Sequence, residues 1–495
     1  MSQPYTQLEK NFKRIQVLGD AASMLQWDMA SMMPKGGAAS RAEQMALLAT
    51  LRHSMMTDEK MADLLSAAEE QEGLNEWQLA NLHEMRRSYT HATAIDEDLV
   101  EAMSRATSSC EQLWREVRPE GDFKKIESEL SEVLNLSRQT AAAKSEKLGC
   151  SLYDALLDQY EPDGKAAEID PIFERLEEFL PDFLQTVLDQ QKGQTFSLPE
   201  GPFPIEKQEA LGKHFMDALG FDFDHGRLDV SLHPFCGGTP DDVRLTTRYD
   251  ESDFTSALMG VLHETGHALY ERGLPQDWRN QPVGTARGMS LHESQSLLVE
   301  MQVCRSDAFL TYAVPHMAKM FNGTGDVWSL DNFKKLYREV KPGFIRVDAD
   351  EVTYPAHVIL RYKLERALIE GTMEVGDIPA AWNEGLQNLL GITPESDREG
   401  CLQDIHWYDG AWGYFPTYTL GAMTAAQIYG AAKDAMVNVE DDISKGDFSE
   451  LMGWLKDNIH GVGSRLSGKE LLIQATGKPL DPEVFISHLK NRYLT

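Results

Sequence analysis

Basic residues are scarce in this chain of 495: 47 Lys and Arg stand against 79 Asp and Glu, a formal net charge of −32. A polyanion of this size repels nucleic acid and anionic lipid, so neither is an expected partner. Solubility is the simplest reading of the charge. Long apolar runs are missing too. None approaches the ~20 residues that span a bilayer, so no membrane segment is expected. The five cysteines (Cys110, Cys150, Cys236, Cys304, Cys401) are odd in number and scattered, and no C-x-x-C pair occurs. Met1-Ser2-Gln3-Pro4-Tyr5 lacks the basic and then apolar regions of a signal peptide. A reduced, cytoplasmic protein is the expectation. Repeats and low-complexity stretches are also missing. What remains is a composition ordinary for a globular protein, 42% hydrophobic and 25% charged.

Length alone suggests roughly three domains. The nearest thing to a boundary, residues 192–204, is rich in Gly, Pro and Ser and reads equally as a loop inside one large helical body. The first half carries apolar residues at helical spacing: Leu8, Phe12, Ile15 and Leu18, then Phe123, Ile126, Leu130 and Val133, then Leu176, Phe179, Phe183 and Val187. Asp170-Pro171 has the form of a helix cap followed by proline at the first helical position. After Gly226 the texture changes. Residues 228–233 alternate apolar and polar, a strand signal. Pro234 and Gly237-Gly238 read as a turn, and residues 243–249 as a second strand. The fold class expected is therefore mainly α, with a small β-sheet just before residue 254.

Phe254, Leu258, Leu262 and Leu269 then mark a helix that Gly273 and Pro275 end. Inside it lies His263-Glu264-Thr265-Gly266-His267, an H-E-x-x-H. On a helix, His263 and His267 project from one face, one turn apart, and can share a tetrahedral metal ion, zinc being the usual one. Glu264 is placed to deprotonate a water polarised by that ion. With 14 His in the chain, about 0.03 chance matches are expected, so coincidence is a small risk. A catalytic zinc takes a third protein ligand and keeps one position open. Glu293 follows His263 by 30 residues (293 − 263). Two alternatives stay open from spacing alone. Ser290 and Glu293 have the form of a capping box, and Glu300, two turns on, is a rival ligand.

His233-Pro234-Phe235, Asp242-Val243-Arg244-Leu245-Thr246, His263-Glu264-Thr265-Gly266-His267, His292-Glu293-Ser294-Gln295, Ile345-Arg346-Val347-Asp348-Ala349-Asp350-Glu351 and Gly400-Cys401-Leu402-Gln403-Asp404-Ile405-His406-Trp407 occur in this order. Together they resemble the thermostable metallocarboxypeptidases of the carboxypeptidase Taq family. The resemblance implies a mostly helical, saddle-shaped protein with a long groove and a single catalytic domain over residues 1–495. The helical part of about 1–200 would form one side of the groove. It further implies a homodimer and zinc-dependent removal of single residues from peptide C-termini with broad specificity. It assigns the third ligand to Glu293. Zn²⁺ is the expected cofactor, with Co²⁺ able to substitute.

Peptide hydrolysis needs a donor for the developing oxyanion besides the metal. His406 and Tyr418 are the expected donors, ahead of Tyr414, which is left as a substrate contact. Packing of the groove wall is an equal use for each aromatic ring. An exopeptidase must also hold a free C-terminal carboxylate, and arginine offers it paired hydrogen bonds. Arg346 is the first choice and Arg244 the second. His233 and His357 are further candidates for positioning substrate. The partners expected are peptides with a free C-terminal carboxylate. Two other functions fit the same residues: an oligopeptidase that cuts internally, and a zinc-stabilised peptide-binding scaffold without turnover. The intact Glu264 argues against the scaffold, since a structural site needs no base.

Overall fold

Apolar stripes in the sequence become buried helix faces. Leu8, Phe12 and Ile15 are the buried side of the helix Pro4–Ser31. Leu130 and Val133 lie inside Glu127–Leu148, and Leu176, Phe183 and Val187 inside Ala166–Gln191. The computed structural model describes residues 3–494, and among them are twenty α-helices and one three-stranded sheet. None of these helices is long and apolar enough to cross a membrane. Three apolar clusters do most of the packing. Trp114, Phe173, Tyr362, Trp382 and Leu489 belong to one, which ties the first half of the chain to its end. Leu258, Leu262, Leu291 and Phe309 belong to a second, around the H-E-x-x-H helix. Tyr5, Phe12, Leu65 and Met85 form a smaller one at the N-terminal end.

Two local expectations are revised. The helix expected to begin at Pro171 starts a turn earlier, at Ala166, with Pro171 and Pro181 inside it. Asp170 caps nothing there; its carboxylate takes the Tyr362 hydroxyl at 2.7 Å and Arg366 at 2.6 Å. The first turn is anchored instead by Ala166 N donating to Asp154 at 2.7 Å. The second revision concerns the Gly-Gly stretch, which is a strand and not a turn. The strands are β1 (Gly226–Val230), β2 (Phe235–Thr239) and β3 (Asp242–Thr247), in the order β1-β3-β2. β1 runs parallel to β3, pairing Gly226 with Val243. β2 returns antiparallel to β3, pairing Thr239 with Asp242 around Pro240-Asp241. Gly238 takes φ +87°, and a Cβ there would lie 2.2 Å from the Asp242 carbonyl oxygen, so only glycine continues the strand. Leu228, Val243 and Leu245 of the sheet pack on Val261 and Ala268 of the H-E-x-x-H helix. β2 is left at the sheet edge.

Candidate active site

The H-E-x-x-H helix runs Phe254–Gly273, with the Asp253 side chain accepting from Thr255 N at its start. Gly266 lets a second helix come close: a Cβ there would sit 2.4 Å from the Gln295 carbonyl oxygen. That second helix, Met289–Leu297, carries Glu293. Its first turn is held from far away in sequence, since Ser290 N donates to Glu161 at 3.1 Å. The Ser290–Glu293 capping box therefore does not form, and the Glu293 carboxylate faces the two histidines. Glu293 Oε2 lies 3.8 Å from His263 Nε2 and 3.4 Å from His267 Nε2. Donor atoms around a tetrahedral zinc, at bonds of 2.0–2.2 Å, sit about 3.3–3.5 Å apart. These three residues fit such an ion, and no other group of three among the described residues brings its ligand atoms within 4.8 Å of one another.

The two imidazoles are steadied differently. His263 Nδ1 lies 3.0 Å from Glu300 Oε2, and Arg305 donates to the other oxygen at 2.8 Å. Glu300 thus turns to the far side of His263, away from the ligand position. His267 has no hydrogen bond at Nδ1. Its ring instead stacks on His292 at 4.5 Å between centroids, and His292 Nε2 is 2.9 Å from Glu271. Glu264 is 7% exposed. Burial raises its pKa to about 7, against the pull of the neighbouring His263 charge and with the push of Glu293.

Opposite stands a wall of aromatic and arginine side chains. His406 Nε2 is 3.2 Å from the Tyr418 hydroxyl, and the Tyr414 and Tyr418 rings meet edge to face at 5.2 Å. The Glu293 charge acts on the phenols of Tyr354, Tyr414 and Tyr418, which puts this wall against the ligand cluster. Arg346 lies 4.7 Å over the Tyr418 ring. It donates to Asp404 at 2.8 Å and to the Tyr354 hydroxyl at 3.0 Å. Arg361 donates to the same carboxylate at 2.6 Å. Two guanidinium groups share one carboxylate, 11% exposed, so the cluster keeps an excess positive charge. Burial works against the Asp404 charge, yet Arg361 and Arg346 hold its carboxyl well below the usual range. Burial pushes His406 down to about 4, against the pull of Asp404, so its ring is neutral at pH 7.

The sequence profile of the carboxypeptidase Taq (M32) metallopeptidase family matches residues 7–493. The chain belongs to this M32 family. It is similar to thermostable carboxypeptidase 1 of Thermus thermophilus, 38% identical over 96% of this chain and 95% of the relative. Carboxypeptidase 1 of Bacillus subtilis is 34% identical over 98% of both chains. Among solved structures, Trypanosoma cruzi metallocarboxypeptidase 1 superposes with a TM-score of 0.98 at 42% identity, covering 99% of each chain. The chain is accordingly a peptide hydrolase of the metallocarboxypeptidase type, with the mainly helical M32 fold.

In this M32 chain a cavity of about 610 Å³ reaches from His292 along β2 to the N-terminal helices, touching Gly238, Asp241, Arg87, Gln16 and Ser23. Of the remaining expected site residues, Arg244 is held by Asp242 at 2.7 Å and lies 4.5 Å over the Trp27 ring, joining the sheet to the first helix. His233 is exposed between β1 and β2. His357 is fully buried beside the arginine pair; its carbonyl oxygen accepts from Arg361 at 2.7 Å, and burial pushes its ring down to about 3. Sequence reasoning passed over Tyr354, Arg361 and Glu365. Glu365 is fully buried and accepts from Tyr153 OH at 2.8 Å, Trp407 Nε1 at 3.0 Å and Gly413 N at 3.3 Å. It pins the stretch just after His406 at two points, Trp407 and Gly413. No signal in the sequence marks it, since Arg361 and Glu365 stand four apart on one helix face like an ordinary surface ion pair.

Proposed function

We propose that the protein is a zinc carboxypeptidase that removes single amino acids from peptide C-termini with broad specificity. The observation that carries this reading is one cluster of groups whose three ligand residues are only partly exposed. Glu293 Oε2 stands 3.8 Å from His263 Nε2 and 3.4 Å from His267 Nε2, and all three donor atoms lie within 4.8 Å of one another. Glu264 is beside them, and an arginine pair with excess positive charge faces them. His263, His267 and Glu293 would hold Zn²⁺, with Co²⁺ able to substitute. When bound, such an ion polarises a carbonyl oxygen and acidifies water. Glu264, with a proton affinity near neutrality, takes the proton of the attacking water and returns it to the departing amine. Tyr418 donates its hydroxyl hydrogen to the developing oxyanion, and His406 holds that hydroxyl in place. Arg346 binds the substrate's terminal carboxylate. Three of its five N–H groups are engaged by Asp404 and Tyr354, which leaves two for a carboxylate. Arg244, His233 and Tyr414 are proposed to contact the rest of the peptide.

The same reading takes residues 1–495 as one catalytic domain, with about 1–200 as one side of the groove. It includes a homodimer and a cytoplasmic location. Broad specificity, dimer and compartment are supported by likeness to the family and by composition.

The test is a peptide ladder. An unmodified peptide and its C-terminal amide are digested in parallel and the products weighed by mass spectrometry. Stepwise shortening of the free acid, with the amide at least tenfold slower, is expected. Internal cuts would favour an oligopeptidase, and equal rates on acid and amide would remove the carboxylate role. Glu264→Gln should bind Zn²⁺ normally while losing about 10²–10⁴-fold in kcat. Near wild-type turnover in that variant would overturn the role of Glu264.

A further inference from the structure

We propose that Arg492, in the last turn of the chain, is a positioning residue for the metal centre, because it caps the helical turn that aims Glu300 at His263. The proposal rests on the metal reading above. The helix Met289–Leu297 does not end after its ligand. It continues over Leu298–Val303 as a π-helix, a rare wider winding that is frequent at functional sites. In an unbroken α-helix Glu300 would lie two turns, about 10.5 Å, beyond Glu293 on the same face. The altered winding sends it to the other nitrogen of His263, at 3.0 Å.

A helix leaves its last carbonyls without donors. Arg492 supplies them here, from NH1 to Met301 O at 2.5 Å and from NH2 to Gln302 O at 3.2 Å. Those two residues directly follow Glu300. The same guanidinium donates to Glu351 at 2.9 Å. Glu351 also takes Gln302 Nε2 at 3.1 Å and the Tyr493 hydroxyl at 3.1 Å, and lies 2.8 Å from His488 Nε2. The C-terminal helix Pro482–Tyr493 and the π-turn are thus fastened to one carboxylate, which is 5% exposed. The fork of Arg492 reaches three acceptors at once, which a lysine point charge does not. Losing it frees the turn to rewind and swings Glu300 off His263.

The experiment measures Zn²⁺ affinity by competition with a chromophoric chelator on the full-length chain. The variants are Glu300→Gln, Arg492→Met and the double variant. Arg492→Lys, which keeps a charge beside Glu351, guards against a folding defect. Loss of an orienting partner typically costs 10–100-fold in metal affinity. Glu300→Gln is expected to lose about that much, Arg492→Met and Arg492→Lys roughly tenfold, and the double variant no more than Glu300→Gln alone. Wild-type affinity in both Arg492 variants overturns the proposal. So does a double variant whose losses multiply, since Arg492 would then act by a route independent of Glu300. A wild-type chain that binds no Zn²⁺ would instead overturn the metal reading itself, a result distinct from either.

Discussion

Replacing Glu365 by glutamine should flatten the dependence of stability on pH. Burial raises the Glu365 pKa to about 8 in the folded protein, against the opposing hydrogen bonds from Tyr153, Trp407 and Gly413. In the unfolded chain it titrates near its ordinary value of about 4.3. Between these two values the folded protein keeps a proton that the unfolded chain has lost, so stability falls as pH rises. Below about pH 4 both states are protonated and the effect is absent. Above pH 8 both are charged and the penalty is complete. A difference of roughly 3.5 pKa units at about 1.4 kcal/mol each gives a total near 5 kcal/mol. Glutamine has no charge to bury. Its oxygen can take over the Trp407 and Gly413 bonds, and its amide can donate to the Tyr153 oxygen, since a phenol both donates and accepts. The assay is urea unfolding of both proteins, in excess chelator, at intervals from pH 5 to 8.5. The two should be close at pH 5. The variant should gain on the wild type by about 1 kcal/mol per pH unit thereafter. Two curves that stay parallel would refute the argument that Glu365 is held protonated by burial.

Three other outcomes are expected. Tyr418→Phe removes the hydroxyl beside His406 and should lower kcat by about 10²-fold with little change in KM; unchanged steady-state turnover would move the oxyanion role elsewhere. His292→Ala removes the ring on which His267 stacks and should weaken Zn²⁺ binding in chelator competition, whereas His292→Phe keeps the stack and should restore it; equal affinities in both would show that stacking does not hold His267. Asp404→Asn leaves Arg346 and Arg361 buried without their shared anion and should cost about 3–5 kcal/mol of stability, measured as a lowered urea midpoint. A loss under 1 kcal/mol would mean that solvent reaches the pair.

Periodicity and spacing made the helical class and the His263–His267 pair readable, because both are local properties of a winding helix. Glu293 and Glu300 were not separable in that way, as both lie at helical spacing on one face. What distinguishes them is a π-turn and a contact with Arg305, neither of which leaves a pattern in the sequence. The capping box at Ser290 looked complete until Glu161, 129 residues earlier, took the cap. Asp170-Pro171 carried a cap signature that tertiary bonds to Tyr362 and Arg366 override. β2 was hidden because its glycines read as a turn, while its neighbour β3 supplies the hydrogen bonds that make it a strand. The arginine cluster depends on Asp404 meeting Arg346 across 58 residues. Such pairings belong to topology, and single-chain patterns hold no trace of them.

The bond from Trp114 Nε1 to the Leu402 carbonyl oxygen spans 288 residues at 2.9 Å, and it bears on how this protein is made. Synthesis at ~5–20 residues per second puts Leu402 on the growing chain roughly 15–60 s after Trp114. Tyr153 waits about 10–40 s for Glu365 by the same measure. Through that interval the early helices present apolar faces whose final partners do not yet exist. An isolated fragment of the first 200 residues inherits the same bare faces permanently, so expression of this fragment alone should yield aggregate, while the full chain buries them late and all together.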